Sequence, residues 1–204
     1  HGIRSPITAT GGTARWLARK THNRDLLQFL EMMTREAEKI EKILEDLFSF
    51  VNRSKPVCRR MGLGQLIHKS LLLHFRSMEE KGIRRMLRLP ETDPGVEIDP
   101  ELSQQALVHL TRNSIEAMPE GGELMVEVLA EEKEVRIVIS DTGGGSTTAD
   151  LLHATDPFFT TKQVGTGVGL TMVKRIIEDH GGSLSLQNRA EGGVRATIVL
   201  PRAG

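Results

Sequence analysis

The sequence has a single cysteine and no long hydrophobic run, and each scarcity excludes a class of protein. Cys58, alone in 204 residues, excludes a disulfide framework or a thiolate metal site and fits a reducing cytoplasm. The longest apolar runs, such as residues 71–73 and 135–139, fall far short of the roughly 20 residues that cross a bilayer, so we expect no direct membrane contact. Because the chain starts at His1 without a methionine or a signal peptide, we expect a cytoplasmic piece of a larger protein, which could itself be membrane-anchored.

The chain also lacks a net charge, although its charges are unevenly placed. Residues 56–90 hold eight Lys or Arg against two Asp or Glu, whereas residues 91–204 hold nine against eighteen. This balance argues against a nucleic-acid partner, and we expect the basic stretch to form the solvated face of a helix. The hydrophobic content of 38% is enough to build a core in one or two soluble domains.

Glycine is plentiful in residues 141–182, where two clusters flank a PFFTTK segment. The clusters are Gly143, Gly144 and Gly145, and then Gly165, Gly167 and Gly169. Glycine lets the backbone approach a ligand closely. The second cluster runs into a helical period at Leu170, Val173 and Ile177, so its N–H groups should lie at a helix N-terminus, which attracts anions. The pair predicts a nucleotide site, although neither the Walker motif nor the dinucleotide fingerprint fits.

A heptad pattern of apolar residues occupies the first quarter of the sequence. It runs through residues 1–20 and returns more strongly in residues 26–51, which form a helix of about 40 Å at 1.5 Å per residue. A polar THNRD segment separates the two, so we predict an antiparallel helical hairpin. Two helices cannot bury both seams, which favours a homodimeric four-helix bundle with His1 and Ser5 on its outside.

The SerLysPro segment at 54–56 should end the hairpin, which predicts domains at 1–55 and 56–204. The second domain is predicted to be an α+β sandwich, with helices over a mixed or antiparallel sheet. Its predicted helices cover residues 64–81, with Phe75 on the buried side, then 100–118, and a last helix ending at His180. Its predicted strands cover residues 57–61, 83–89, 96–98, 124–129, 135–139, 183–187 and 194–200.

Five segments in order resemble the motif boxes of bacterial sensor histidine kinases, over nearly the whole chain. HGIRSPITATGG resembles the phosphoacceptor box, LTRNSIEAM the asparagine box, DTGGG the first glycine box, PFFTTK the phenylalanine box and GTGVGL the second glycine box. The resemblance implies a dimerisation and histidine phosphotransfer hairpin joined to a Bergerat-type ATP-binding domain, as shared with gyrase-type ATPases and MutL.

Matching the boxes residue by residue, the resemblance implies roles at both ends of the chain. His1 would accept the phosphoryl group from ATP. Asp141 would accept a hydrogen bond from the adenine amino group, with Gly143 and Gly145 shaping the pocket. Asn113 would offer its carboxamide oxygen to Mg²⁺, which prefers oxygen ligands.

The resemblance further implies a short lid over the triphosphate. Phe158 and Phe159 would anchor one end of this lid, and Lys162 on it would either meet the γ-phosphate or be a solvated loop lysine. The other end, which would present N–H groups to the phosphates, comprises Gly165, Thr166, Gly167, Val168, Gly169 and Leu170. Ser5, one turn from His1, stands where many members orient water for a phosphatase reaction, and that activity stays open.

Two positions depart from the family pattern, so functions other than autophosphorylation stay open. Gly2 stands where an acid usually takes the proton from the attacking imidazole, and His109 stands where asparagine is common. The leading hypothesis is an autophosphorylating kinase that serves a response-regulator receiver domain. The alternatives are an ATP-binding pseudokinase whose hairpin only dimerises or sequesters a regulator, and a gyrase-like ATPase, whose water-activating glutamate would be expected near His109.

Overall fold

A computed structural model describes residues 4–51, 55–162 and 167–203. These residues form two compact units, one of helices alone and one of helices and strands. Residues 52–54 lie outside the described residues, so the domain boundary after residue 55 stays a prediction. No helix in the described ranges is long and apolar enough to cross a membrane.

The helical unit is an antiparallel pair, α1 (Arg4–Ala18) and α2 (Arg24–Val51). The α2 helix begins where the Asn23 side-chain oxygen accepts the N–H groups of Asp25 and Leu26, at 3.0 and 3.1 Å. This side-chain cap satisfies donors that the first turn of a helix leaves unpaired. The polar segment predicted to separate two helices therefore does so.

Only part of the predicted heptad seam is buried within one chain. Leu30 and Ala37 are buried against α1, where Ala14 is buried in turn, and a Cβ on Gly11 would lie 3.0 Å from the Ala37 side chain. The exposed large apolar side chains of the pair are Trp16, Leu17, Leu26, Phe29, Met32, Met33, Ile40 and Ile43. The hairpin thus presents an apolar surface that its own two helices do not cover.

The second unit is an α+β sandwich, as predicted. Its strands are β1 (Arg59–Gly62), β2 (Ile83–Arg88), β3 (Gly95–Ile98), β4 (Gly122–Ala130), β5 (Glu134–Asp141), β6 (Ser183–Asn188) and β7 (Val194–Pro201). Its helices are α3 (Leu63–Leu72), α4 (Phe75–Glu80), α5 (Pro100–Glu116), α6 (Thr148–His153) and α7 (Gly169–Asp179).

The main sheet is mixed and has the strand order β2-β4-β5-β7-β6. β2 runs parallel to β4, and all other neighbours are antiparallel. β1 and β3 form a separate antiparallel pair. On β5 the alternate residues Val135, Ile137 and Ile139 are buried, because a half-buried strand turns every second side chain to the core. Helices α3, α5 and α7 supply much of the remaining core.

Two sequence predictions for residues 56–90 are wrong. The helix predicted over 64–81 is interrupted after Leu72, and Phe75 is 44% exposed rather than buried. At the break, a ring nitrogen of His74 bonds the Val108 carbonyl of α5 at 3.1 Å, a tertiary contact that local periodicity does not encode. The basic stretch is not one helix face, since five of its eight cations lie on strands β1 and β2.

The N-terminus of α3 takes its cap from a distant acid. Its own N-cap residue is Gly62, which has no side chain to offer. Asp93 instead accepts the N–H groups of Leu63 and Gly64 at 2.8 and 2.9 Å. A Cβ on Gly62 would overlap the Asp93 carboxylate, so the glycine and the acid depend on each other.

We expect Asp93→Ala to lower the free energy of unfolding by about 1–2 kcal/mol, because two N–H groups at a helix N-terminus lose a charged acceptor. Urea denaturation measures the change. Glu91→Ala, which removes an exposed acid two positions away, is the control and should change stability little. Equal stability of the two variants would show that Asp93 does not act as a cap.

Asp99 ties the start of the second unit to two helices. Its Oδ2 accepts the Val57 N–H at 2.9 Å, and its Oδ1 caps α5 by accepting the N–H groups of Glu101 and Leu102. The Asp99 N–H donates to His180 Nε2 at 2.8 Å, so in this arrangement the ring is neutral and Nδ1 donates to the backbone. Burial raises the pKa of Asp99, but the three backbone N–H groups that its carboxylate accepts together hold this pKa below its ordinary value of 3.8.

This depressed pKa predicts an acid-labile contribution to stability. Asp99→Asn keeps a capping oxygen and removes the charge. Because the folded pKa lies below the unfolded value of about 3.9, the advantage of wild type over the variant should be complete above that pH. It should then be lost as the pH falls through the folded pKa. Denaturation of both proteins between pH 7 and pH 3 tests this, and a difference independent of pH would contradict it.

Candidate functional site

The candidate site follows one stripe of α5. His109, Asn113 and Ala117 are four residues apart, so they share one side of the helix over about 12 Å. A Cβ on Gly169, at the start of α7, would lie 3.3 Å from His109 Nδ1, and one on Gly143 would lie 2.5 Å from the Ala117 carbonyl oxygen. The stripe therefore leads from the N-terminus of α7 to the loop after β5, with Asn113 between them.

Asp141 lies at the end of β5 and is only 3% exposed. Its Oδ1 accepts the N–H groups of Gly143 and Val194, both at 3.1 Å. Within the described ranges, no side chain or backbone group bonds Oδ2. A buried carboxylate anchored through one oxygen keeps the other as a strong acceptor for a ligand N–H.

The loop after Asp141 is shaped by close backbone contacts. Gly143 fits against Ala117 without room for a side chain, whereas a Cβ on Gly144 would meet nothing within 4 Å. Gly145 has a φ of +72°, a conformation that favours glycine. The Thr142 hydroxyl accepts the Glu123 N–H at 2.9 Å, which holds the loop to the start of β4. The loop that follows Asp141 is thus held close to Ala117 and to the start of β4.

The start of α7 faces the other end of the stripe. Its N-cap residue is Val168, and in the described part of the chain no side chain caps the helix. The N–H groups of such a first turn attract anions. The Arg112 guanidinium bonds His109 Nδ1 at 2.9 Å; because arginine only donates, a neutral His109 carries its proton on Nε2.

Gly167 joins the two ends of the predicted lid. Its carbonyl accepts the Phe158 N–H at 3.1 Å, and its φ is +65°. A Cβ on Gly167 would overlap the Phe158 backbone. Phe158 is 65% exposed and has an unusual positive φ of 66°, so it does not belong to the core. The predicted lid anchors at Phe158 and Gly167 are thus bonded to each other.

The donor set suits magnesium carried by a triphosphate. No group of three or more His, Cys, Asp or Glu in residues 4–51, 55–162 and 167–203 could hold a metal ion. Mg²⁺ does not need one, because it keeps several waters and bonds substrate phosphates beside one or two protein oxygens. Asn113, midway along the stripe, is placed to supply such an oxygen, and its role as a ligand stays a prediction.

The structure brings part of the predicted site together. Asn113 lies on the stripe, Gly143 contacts its end at Ala117, and Asp141 and Gly145 belong to the same loop as Gly143. Gly167, Val168, Gly169 and Leu170 lie at or beside the start of α7. Lys162 is exposed, and Ser5 lies in α1 of the helical unit. His1, Gly2, Gly165 and Thr166 lie outside the described residues. Their predicted roles stay predictions.

Residues 97–204 match the family described as histidine kinase-, DNA gyrase B-, and HSP90-like ATPases. The chain therefore belongs to this family. Its likeness to the catalytic core of sensor histidine kinases, predicted from the five boxes, is confirmed by relatives that match almost the whole chain.

Sensor histidine kinase ZraS of Escherichia coli O157:H7 is 30% identical over 202 residues, which cover 98% of this chain and 44% of ZraS. The catalytic domain of histidine kinase ThkA superposes with a TM-score of 0.67 at 30% identity, covering 71% of this chain and 95% of that domain. A crystal structure of ThkA in complex with response regulator protein TrrA gives a TM-score of 0.77 at 25% identity and covers 100% of this chain and 59% of that chain. The chain spans less than half the length of ZraS.

Sequence reasoning missed the contact between the β6–β7 turn and the glycine loop. Asn188 bonds Ser146 through both side-chain atoms, and Arg189 donates to the Asp141 carbonyl oxygen at 2.6 Å. A Cβ on Gly193 would overlap that same carbonyl oxygen. The turn itself was predicted from its EGG sequence, but no sequence signal pairs it with a loop more than 40 residues earlier.

Proposed function

We propose that the chain is the catalytic core of a histidine autokinase of a two-component system. It would transfer the γ-phosphoryl group of ATP to His1 and then to an aspartate of a response-regulator receiver domain. The observation that carries this proposal is the buried Asp141, anchored through Oδ1 with Oδ2 left for a ligand, at one end of a stripe that leads to the N-terminus of α7. Family membership and the ThkA–TrrA complex support it.

In this proposal Asp141 Oδ2 accepts a hydrogen bond from the adenine 6-amino group. Gly143 and Gly145 make room for the base, and the roughly 12 Å stripe is long enough for the ribose and phosphates. The triphosphate meets the N–H groups of residues 165–170, with Lys162 as a further cation for the γ-phosphate. His109 lies on the phosphate side of Asn113, beside Gly169.

Asn113 would hold Mg²⁺ through its carboxamide oxygen, and the ion would neutralise charge on the phosphates. The remaining chemistry belongs to the hairpin. A neutral ring nitrogen of His1 attacks the γ-phosphorus, the new N–P bond forms, and the bond to the β–γ bridging oxygen breaks to release ADP. Gly2 offers no base, so the imidazole proton passes to water. The receiver carboxylate then attacks the phosphorus, the N–P bond breaks, and the released ring nitrogen takes a proton from water, which regenerates neutral His1.

We also propose that the hairpin forms a homodimer. The apolar side chains that α1 and α2 leave exposed include Phe29, Met33 and Ile40, spaced as expected for a helical seam. Burying them between two hairpins would give the four-helix bundle predicted from the heptads. Exposed aromatic and aliphatic residues on a continuous helix face are costly in water, which favours a second copy.

Incubation with γ-labelled ATP and Mg²⁺ tests the function. We expect acid-labile, alkali-stable label on the protein, lost in His1→Gln and kept in the control His22→Gln, which changes an exposed histidine between α1 and α2. Tight ATP binding without label would favour the pseudokinase alternative, to which Gly2 points. Phosphate release without label would favour a gyrase-like ATPase. Both results would overturn the autokinase.

We expect Gly2→Glu to accelerate labelling about tenfold, because a carboxylate beside His1 restores part of the 10²–10⁴-fold that general-base catalysis supplies. The initial rate at saturating ATP measures the effect. Gly2→Gln is the matched control, since it replaces the same glycine with a side chain of similar size that carries no base. Equal rates for the two variants would show that proton removal does not limit the reaction.

A further inference from the structure

The six residues 141–146, here called the base loop, are held at both ends by the turn between β6 and β7. At the far end, Asn188 Oδ1 accepts the Ser146 N–H at 3.0 Å, and Asn188 Nδ2 donates to the Ser146 carbonyl at 2.6 Å. At the near end, an Arg189 guanidinium nitrogen donates to the Asp141 carbonyl at 2.6 Å. One turn therefore clamps the first and last residues of the loop.

The clamp continues into the Asp141 side chain. The Val194 N–H, at the start of β7, donates to Oδ1 and so fixes the direction in which Oδ2 points. Gly193, with φ of +84°, packs its Cα against the Asp141 backbone so closely that a Cβ would overlap it. Any movement of the turn is thereby passed on to the carboxylate.

Stabilisation of the fold does not by itself explain the presence of Arg189. Its Nε is buried and finds no hydrogen-bond partner among the residues that the structure describes. A buried donor left unpaired lowers the free energy of unfolding. Its nearest carboxylate is that of the exposed Glu191, at 3.8 Å, where an ion pair contributes little. The contribution of Arg189 is therefore the fixed position of Asp141.

We propose that Asn188 and Arg189 are positioning residues for base recognition. They touch no part of a bound nucleotide; they hold the base loop so that Asp141 Oδ2 meets the 6-amino group of the purine. This inference rests on the proposed nucleotide site and adds to it the residues that determine its preference for adenine.

The test compares two nucleotides that differ at purine position 6. ATP carries an amino group there and inosine triphosphate carries a carbonyl oxygen, so only ATP can donate to Asp141 from position 6. We expect Arg189→Ala to raise the Kd for ATP about tenfold and to leave the Kd for inosine triphosphate nearly unchanged, so that the ratio of the two constants falls about tenfold. Asn188→Ala should lower the ratio in the same direction, and Arg189→Lys, which keeps one donor, should restore part of it.

Arg202→Ala is the matched control, because the Arg202 guanidinium also donates to a backbone carbonyl, that of Glu131 at 2.9 Å, on the turn between β4 and β5. It should leave the ratio unchanged. A purely structural role would weaken the binding of both nucleotides equally and leave the ratio of their Kd values as in wild type, which would overturn the inference. If Arg189→Ala does not fold, Asn188→Ala and Arg189→Lys provide the same test. A wild-type protein that binds both nucleotides equally would instead overturn the adenine site itself, and the inference with it.

Discussion

Asp141→Asn is expected to raise the Kd for ATP by roughly 100-fold, the largest effect on binding that the site predicts. The carboxamide oxygen can still accept the N–H groups of Gly143 and Val194, which anchor Oδ1 in wild type. The amide nitrogen then takes the place of Oδ2 and presents a donor to the amino group of adenine. A charge-assisted hydrogen bond is thus replaced by two opposed donors.

Titration with ATP, followed by calorimetry, measures this loss, and thermal denaturation separates it from unfolding. Because the anchoring bonds survive, stability should change far less than affinity. Asp25→Asn, which removes one negative charge from the first turn of α2, is the control and should bind ATP as wild type does. If Asp141→Asn keeps wild-type affinity, Asp141 does not recognise the base.

Gly193→Ala is expected to lower the free energy of unfolding by about 3 kcal/mol or more, because the added methyl group introduces both a backbone conformational cost and a steric clash. The residue has a φ of +84°, which alone costs an L-residue about 1–2 kcal/mol. The added Cβ would also overlap the Asp141 carbonyl oxygen and lie 2.9 Å from Oδ1. The turn must therefore move away from the base loop, and ATP binding should weaken with it.

Gly192→Ala separates the two penalties. Gly192 has a similar φ of +92°, but a Cβ there would meet its nearest atom, the Gly143 carbonyl oxygen, at 3.7 Å. This variant should therefore show only the conformational cost. Urea denaturation measures the free energy of unfolding of both variants, and the difference between their losses is the cost of the steric clash. Equal losses would mean that Gly193 is needed only for its φ.

Local patterns predicted those parts of the fold whose causes are local. The hairpin of β4 and β5 follows from alternating apolar residues, and α5 begins at Pro100, as the preference of proline for a first turn predicts. The helix predicted over 64–81 failed because the bond from His74 to Val108 is a tertiary contact. Helix α6 was also missed, although Thr147 caps it by accepting the Asp150 N–H, a spacing that is visible in sequence.

The candidate site, like the fold, has some features with local causes and others that depend on tertiary contacts. The motif boxes predicted Asp141 and the glycines around it as site residues, because each box is a short segment whose residue types have a direct chemical reason. The residues that fix Asp141 were not predicted, because Asn188 and Arg189 become its neighbours only when β7 pairs with β5. Partners brought together by strand pairing leave no local pattern, so their importance is visible only in the fold.

Strand β2 lies at one edge of the five-stranded sheet, and among the described strands only β4 pairs with it. Three of its six residues, Arg84, Arg85 and Arg88, are exposed arginines, and two of them face Glu123 and Glu127 across the strand pair. A second copy that tried to extend the sheet here would bring like charges together. The basic stretch of the sequence thus protects a sheet edge from aggregation, while the exposed apolar hairpin remains available for association.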